Sequence, residues 1–406
     1  MDPARSRDAA LWLSGAAAVL PVVSIAGFEI LLGAALVALL MALRTTGKPW
    51  RWPPVMLPLC VWVGLTLLSA AASGEARAAF PQVKKFYVYL MLLVVVAAFR
   101  TVSEVRWVVL GWALGASLSA LWSFVQFARK YEAARAAHQD FYRSYIGARI
   151  TGFMGHWMTF SGEMMMALLL IASVVFFSHD RRWIGWLMAA GVLIAAALIA
   201  SETRSMWGGA FAGAVYLVWM WRRWVVLAIP VLIAILMLAN PFEIRERIVS
   251  VFLPHADTDS NGFREVMRRT GWEMIKAHPW LGLGPEEVGP HFEQYVPADV
   301  PRPLPNGYYG HLHNIYYHYA AERGVPAMLA LMWMLGWALV DFIRTLRRLP
   351  KKAEQRWVLH GAIAVTIAVL LGGYFEVNLG DSEVLGMFLA VLGCGYVAVL
   401  SAEPLS

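Results

Sequence analysis

Long apolar runs recur through most of this chain, and they restrict its possible folds more than any other feature. Many of them reach the ~17–25 residues that an α-helix needs to cross a bilayer. Of the 406 residues, 59% are hydrophobic and 15% are charged, against roughly 45–50% and ~25% in a soluble globular domain. A membrane β-barrel would show short segments of alternating polarity instead. The sequence therefore predicts an all-α polytopic membrane protein.

The apolar runs predict about 12 transmembrane helices, with one polar stretch of about 75 residues between the ninth and the tenth. Three parts follow: transmembrane helices 1–9 in residues 1–239, a periplasmic loop module in residues 240–314, and transmembrane helices 10–12 in residues 315–406. Pro230 breaks the ninth run, where a kink is expected. The predicted spans are residues 9–23, 27–43, 54–72, 86–99, 107–128, 155–177, 183–200, 206–221, 224–239, 315–341, 357–375 and 383–400.

Lysine and arginine are divided unequally between the two sets of short loops, with 17 on one predicted side and nine on the other. The richer side is expected to be cytoplasmic. Both termini are therefore predicted in the cytoplasm and the long loop in the periplasm, which places a bacterial protein of this kind in the inner membrane. Arg5 and Arg7 precede the first run, as basic residues do in a signal peptide. No clear cleavage site follows that run, so it is expected to be retained as a membrane span.

Composition also argues against several classes of partner. The net charge of +7 comes from basic residues scattered over short loops rather than gathered in one stripe, so no nucleic acid is expected. Cys60 and Cys394 both fall inside apolar runs. They predict neither a disulfide framework nor a cysteine-based zinc site.

The polar loop contains one segment with helical periodicity, from Phe263 to Ala277. Pro279 is expected to end this helix, and Gly282-Leu283-Gly284 to form a turn, since a third glycine and a preceding strand are missing for dinucleotide binding. Arg264, Arg268 and Lys276 are predicted on the far side with Trp272. The predicted apolar face consists of Phe263, Val266, Met267, Thr270 and Met274.

The segment Asp257-Thr258-Asp259-Ser260-Asn261-Gly262 begins like a calcium-binding loop. The twelfth position of such a loop should be a glutamate, but here it is Arg268. The Asp257 and Asp259 pair also resembles the acidic pair that holds a metal in many sugar-nucleotide transferases. A polar turn is the simpler interpretation, and no metal is predicted here.

His311-Leu312-His313-Asn314 stands where the apolar pattern resumes. With His255, His278 or His291, the two imidazoles could bind zinc, although the helical spacing of a zinc pair is missing. Asn314 is a natural N-cap for the next helix. The alternatives at this point are a polar helix cap and a functional site.

Arg204 occupies a tight turn on the side where a topology signal would not place it. It could extend to lipid headgroups, or its planar set of donors could bind a phosphate. Arg264 and Arg268 lie one helical turn apart and could bind an anion or form a solvated face. Within the predicted spans, ionisable residues such as Glu163 are few, whereas a proton-coupled transporter would carry several.

The order of these segments resembles the O-antigen ligase family, whose pattern is shared by O-antigen polymerases and bacterial protein O-oligosaccharyltransferases. The resemblance covers about residues 200–330, and position 327, often glycine in the family, is alanine here. The matching motifs are Thr203-Arg204-Ser205 with Trp207 and Gly208, Asn261-Gly262-Phe263-Arg264 continuing to His278-Pro279-Trp280-Leu281-Gly282-Leu283-Gly284, and His313-Asn314 with Glu322-Arg323-Gly324.

This resemblance implies an integral-membrane, GT-C-like glycosyltransferase without a metal or other cofactor. Its donor would be a glycan on undecaprenyl pyrophosphate, its acceptor the lipid A-core oligosaccharide, and its surroundings membrane lipids. His313 would be the catalytic base, with Arg204 and Arg264 on the pyrophosphate. Arg268, His311 and Asn314 complete the expected substrate-binding residues. A single base predicts inversion at the anomeric carbon.

Other functions stay open at the level of sequence. A polymerase would be expected to have two large external loops, and a protein transferase a sizeable soluble C-terminal part, whereas this chain ends at Ser406, just past its last span. A lipid-linked oligosaccharide flippase would need polar or basic residues deep in the spans. We therefore expect the ligase activity.

Overall fold

The computed structural model describes residues 3–46, 50–240, 245 and 260–402. Throughout these residues the regular secondary structure is helical. The helices that precede the long loop are α1 (Pro3–Val19), α2 (Ile25–Thr46), α3 (Met56–Ala72), α4 (Ala76–Lys84), α5 (Phe86–Ala98), α6 (Val102–Ala136), α7 (Phe141–Ile146), α8 (Trp157–Phe177), α9 (Ile184–Ala200), α10 (Arg204–Arg222) and α11 (Ile229–Ala239).

The remaining helices lie in the described part of the long loop and at the end of the chain. They are α12 (Ser260–Ala277), α13 (Val288–Tyr295), α14 (Ile315–Arg323), α15 (Val325–Arg348), α16 (Gln355–Gly373) and α17 (Ser382–Leu400). Short 3₁₀ segments connect several of them, at Leu20–Val22, Arg223–Ala228 and Asn378–Gly380.

Seven helices in the described part of the chain are long and apolar enough to cross a membrane. Two shorter apolar helices, Met56–Ala72 and Ile184–Ala200, accompany them. The predicted all-α, polytopic membrane protein is therefore confirmed, while the count of 12 spans stays a prediction. The seven are Ile25–Thr45, Arg77–Ala98, Val102–Ala136, Trp157–Phe177, Val325–Arg348, Gln355–Gly373 and Ser382–Leu400.

Two predicted spans differ from the helices that the structure shows. The tenth was expected as one helix from residue 315, but α14 ends at Arg323 and α15 begins at Val325. Gly324 separates them with φ of 85°, a backbone conformation that glycine adopts without steric cost. In the ninth, Pro230 does not kink a continuous helix, because it is the second residue of α11.

The long helices pack around α17 and α16, whose side chains are buried along most of their length. Small residues allow this close approach: a Cβ on Gly209 or Gly213 would press against the α16 backbone at Ala368 or Ala364. Glycine at such positions is typical of membrane helix interfaces, where van der Waals packing drives association. This core fixes the loop between α16 and α17, which carries part of the candidate site.

Outside this bundle, α12, α13 and α14 share a second apolar core. The predicted apolar face of α12 is correct, because Phe263, Val266, Met267, Thr270 and Met274 are all buried. The helix begins at Ser260, three positions before the predicted start, and it ends before Pro279 as expected. Its partners in the core include Val288, Phe292 and Leu312.

The segment after α12 is bound to the α14–α15 junction through its backbone. Leu283 N donates to Ala321 O at 2.9 Å, Gly284 N to Glu322 O at 2.8 Å, and Val325 N to Pro279 O at 2.8 Å. Ser69 Oγ on α3 adds a bond to Leu281 O at 2.6 Å. The predicted turn at Gly282 and Gly284 is thus also a docking surface, which holds α12 over the beginning of α14.

Candidate active site

His313 occupies the last loop position but one before α14, with φ of 49°. This left-handed conformation is uncommon for a residue with a side chain. The ring lies edge-on to Phe263 of α12, with 5.1 Å between the ring centroids. Nδ1 is 3.0 Å from Oε2 of Glu376, and Nε2 is 3.3 Å from the carbonyl oxygen of Tyr308. The imidazole therefore lies between two acceptor oxygens, and a neutral ring can donate to only one of them.

Glu376 lies in the loop between α16 and α17, and only 4% of its surface is exposed. Burial alone would raise the pKa of this carboxyl group. The hydrogen bond with His313, together with the attraction of the two imidazoles when they are protonated, outweighs burial, so the pKa of Glu376 lies below its ordinary value. An ionised Glu376 accepts a hydrogen bond from Nδ1–H, so in the neutral ring Nε2 carries the lone pair and does not donate to the carbonyl of Tyr308.

Asn314 caps α14, as its sequence position predicts. Its Oδ1 accepts hydrogen bonds from the amides of Tyr316 at 2.9 Å and Tyr317 at 3.0 Å. Its Nδ2 donates to Tyr374 O at 2.8 Å. The side chain thus connects the histidine loop with the loop of Glu376, which is a positioning role.

His311 lies beside His313, with 4.1 Å between the ring centroids. Its Nε2 is 3.9 Å from Oε1 of Glu376. Burial lowers the pKa of His311 to about 3, so this ring is neutral near neutral pH.

Donor atoms of His311, His313 and Glu376 lie within 4.8 Å of one another, a spacing that a metal ion could bridge. The hydrogen bonds of these side chains are less compatible with a bound metal ion. Nδ1 of His311 accepts from the amide of His313 at 3.3 Å, so in the neutral ring the proton is on Nε2, the atom that would have to bind the ion. The cluster therefore fits proton transfer better than metal ligation.

The other histidines considered as zinc ligands have different partners. His278 Nε2 is 2.8 Å from the hydroxyl of Tyr295, and His291 Nδ1 is 3.3 Å from the carboxylate of Glu287. His255, Asp257 and Asp259 are outside the described residues, whereas Ser260, Asn261 and Gly262 of the calcium-like segment begin α12.

Arg204 is the first residue of α10 and is half-buried. The residue before it, Thr203, accepts a hydrogen bond from Ser161 of α8 at 3.0 Å. Two positions earlier on α8, Thr159 donates to Asp381 at 2.8 Å, just after the Glu376 loop. The first turn of α8 therefore places the start of α10 and the Glu376 loop at the same end of the bundle.

Arg264 and Arg268 lie on α12, next to the site but in different surroundings. Arg264 is half-buried and follows Phe263, whose ring packs on His313. Arg268 forms an exposed ion pair with Glu265 at 2.7 Å, and its side chain is 55% exposed. By position, Arg264 is the better candidate for a substrate contact.

Residues 189–332 match the family model described as O-Antigen ligase. The chain contains an O-antigen ligase domain. No match was found among the curated proteins.

The O-antigen ligase domain includes Arg204, Arg264, His311 and His313, and it ends within α15. Glu376 lies outside the matched residues. Glu376 is not among the residues predicted from the sequence, because it is a single carboxylate at the end of an apolar run. Its place in a loop on the predicted periplasmic side is the one signal that could have singled it out.

Proposed function

We propose that this protein is a glycosyltransferase that moves an O-antigen glycan from undecaprenyl pyrophosphate to the lipid A-core oligosaccharide. The observation that carries the proposal is the 3.0 Å hydrogen bond between Nδ1 of His313 and Glu376. It sets the tautomer of an imidazole beside the ends of apolar helices, where a lipid-linked donor can present its pyrophosphate. The site would face the periplasm.

His313 acts as the general base in the proposed reaction. The hydroxyl group of the acceptor sugar replaces the carbonyl of Tyr308 beside Nε2, and its proton passes to that nitrogen. The hydroxyl oxygen forms a bond to the anomeric carbon of the glycan, while the bond from that carbon to the pyrophosphate oxygen breaks. Direct attack inverts the anomeric configuration. General bases of this kind typically contribute ~10²–10⁴-fold to the rate.

The leaving group is undecaprenyl pyrophosphate, which departs with the bonding electrons. Two guanidinium groups, Arg204 and Arg264, stabilise its charge, because arginine offers planar pairs of donors to phosphate oxygens. Arg268 lies one turn further along α12 and contacts the glycan or the outer phosphate. His311 and Asn314 keep the base and its loop in place.

The test is glycan transfer by purified protein, with a lipid-linked donor and a lipid A-core acceptor. His313→Ala should lower the rate by ~10²–10⁴-fold, whereas His278→Ala, a loop histidine bonded to Tyr295, should keep it. Wild-type transfer by His313→Ala would refute the mechanism.

A deletion strain tests the choice of substrate independently. Loss of long-chain lipopolysaccharide with accumulation of the lipid-linked glycan supports the ligase. A core that carries one repeat would indicate a polymerase, and unglycosylated proteins with unchanged lipopolysaccharide would indicate a protein transferase.

Removing divalent metals tests the proton-transfer interpretation of the histidine cluster. Chelation with EDTA should leave the rate of purified protein unchanged. Loss of activity that added Zn²⁺ restores would show that the three donors hold a metal.

A further inference from the structure

A groove lies between α1 and α6, at the other end of the bundle from the candidate active site. The two helices cross where Val19 packs on Gly111 and where Trp112 Nε1 donates to Ala18 O at 2.7 Å. Beyond this crossing they enclose about 550 Å³, a volume within the ~300–1,000 Å³ of ligand pockets. The walls are mostly apolar, formed by Leu11, Trp12, Gly15 and Val19 on α1 and by Phe99, Trp107 and Val108 opposite, and Thr101, Ser103 and Glu104 complete the lining.

Positive charge lies beside this groove, on Arg7, Arg51 and Arg100. Arg100 follows Phe99 of the groove wall, and Arg7 lies one helical turn before Leu11, on the same face of α1. Arg51 is close enough that its charge, with that of Arg7, adds to burial in lowering the pKa of Arg100. The nearby acid, Glu104, accepts from the amides of Arg100 and Thr101 in a capping box. A bound anion would offset this repulsion.

We propose that the groove binds one acyl chain of an anionic phospholipid, with the lipid phosphate held by Arg7 and Arg100. A soluble anion is not the natural occupant, because it would leave the apolar walls of the groove in contact with water or with empty space. Trp12 and Trp107, 72% and 60% exposed, flank the groove as tryptophan does at membrane interfaces. The excess of arginine over acid favours an anionic over a zwitterionic headgroup.

This lipid site is separate from the donor site of the proposed transferase. Lys85, just before α5, donates to Gly380 O at 2.7 Å beside the Glu376 loop, whereas Phe99 follows the last residue of α5. The 13 residues of α5 span ~20 Å at 1.5 Å per residue. The proposal therefore does not depend on the enzymatic activity.

Native mass spectrometry of the purified protein with phosphatidylglycerol or phosphatidylcholine tests the site. The wild type should bind phosphatidylglycerol more tightly. Each arginine near an anionic lipid typically contributes about fivefold in affinity. The double variant Arg7→Gln, Arg100→Gln should therefore bind phosphatidylglycerol roughly 25-fold more weakly. Its affinity for phosphatidylcholine should be unchanged. Arg347→Gln with Arg348→Gln, exposed arginines at the same end of the bundle, is the matched charge control and should bind like the wild type.

A second variant fills the groove without disturbing the helix. A Cβ on Gly15 would meet the Phe99 ring at 3.8 Å, an ordinary contact, so Gly15→Leu extends into the groove and should abolish selective lipid binding. Gly336→Leu, at an exposed position of α15 with open space around it, is its control. Equal affinity of the wild type for both lipids, or unchanged phosphatidylglycerol binding by Gly15→Leu, would overturn the proposal. So would a dimer whose second copy covers the groove.

Discussion

At the scale of single residues, Glu376 is expected to position His313. Glu376→Gln keeps the size of the side chain but removes the charge that fixes the Nδ1 proton. We expect kcat for glycan transfer to fall by about 10²–10⁴-fold, as when the orienting acid of a histidine base is neutralised, with little change in KM for the acceptor. Glu376→Asp should recover part of the loss. Glu293→Gln, an exposed partner of Arg302, is the control, and a wild-type kcat for Glu376→Gln would contradict the role.

His318 gives a prediction about pH and stability. It is buried on α14, and burial, followed by the charge of Arg323, lowers its pKa to about 3. In the unfolded chain a histidine binds its proton near pH 6.5, so acid favours unfolding between pH ~6.5 and ~3. This group should make folding about 2 kcal/mol less favourable at pH 5 than at pH 7.5. The midpoint of thermal unfolding should fall over this range in the wild type, and less so in His318→Gln. If the unfolding midpoint depended on pH equally in the two proteins, this prediction would be wrong.

The sequence predicted some of these residues and not others, for a physical reason. His311, His313 and Asn314 are polar residues at the start of an apolar run, so local pattern makes them candidates, and the family resemblance gives His313 its expected role. The cap by Asn314 followed from its position. Glu376 is 63 positions from His313, and their pairing depends on how α14 and α16 pack. No local pattern carries that information, and the same holds for the guanidinium groups of Arg204 and Arg264, whose substrate contacts remain predictions.

At the scale of elements, Gly324 is expected to be essential for the α14–α15 junction. Its φ of 85° and ψ of 158° are restricted almost entirely to glycine, and a Cβ there would overlap the carbonyl group of Trp280. Gly324→Ala should destabilise the protein by roughly 2–4 kcal/mol, from backbone strain and overpacking. Thermal or denaturant unfolding of the purified protein measures this. Gly336 has open space around it, so Gly336→Ala should not lower the stability measurably. An unchanged stability of Gly324→Ala would show that the junction can relax.

Helix positions were more predictable than helix breaks. Each predicted span overlaps a helix, because an apolar run in lipid satisfies its backbone groups only as a helix or a barrel. Glu322, Arg323, Gly324 and Pro326 are sequence signals for this break, but the prediction joined the apolar residues on both sides into one span. The break arises from backbone hydrogen bonds with the segment after α12, from Val325 N to Pro279 O and from Gly284 N to Glu322 O. Such bonds join residues that are far apart in the chain.

At the scale of the whole molecule, the two ends of the bundle should face different compartments. The 35 residues of α6 cover ~52 Å at 1.5 Å per residue, more than the ~30 Å hydrocarbon core. Ala137 follows its last residue. Arg106 near its first turn contacts Glu354 at 2.6 Å, which places the exposed Lys351 at the opposite end.

Cysteine labelling decides which end is outside. In a Cys60→Ala background, with Cys394 buried, Ala137→Cys should react with a membrane-impermeant maleimide in spheroplasts. Lys351→Cys should react only after lysis, because the excess of lysine and arginine holds its side in the cytoplasm. The reverse pattern would put His313 and Glu376 on the cytoplasmic side. A periplasmic acceptor could not then reach the imidazole, and the proposed transfer would fail on geometry alone.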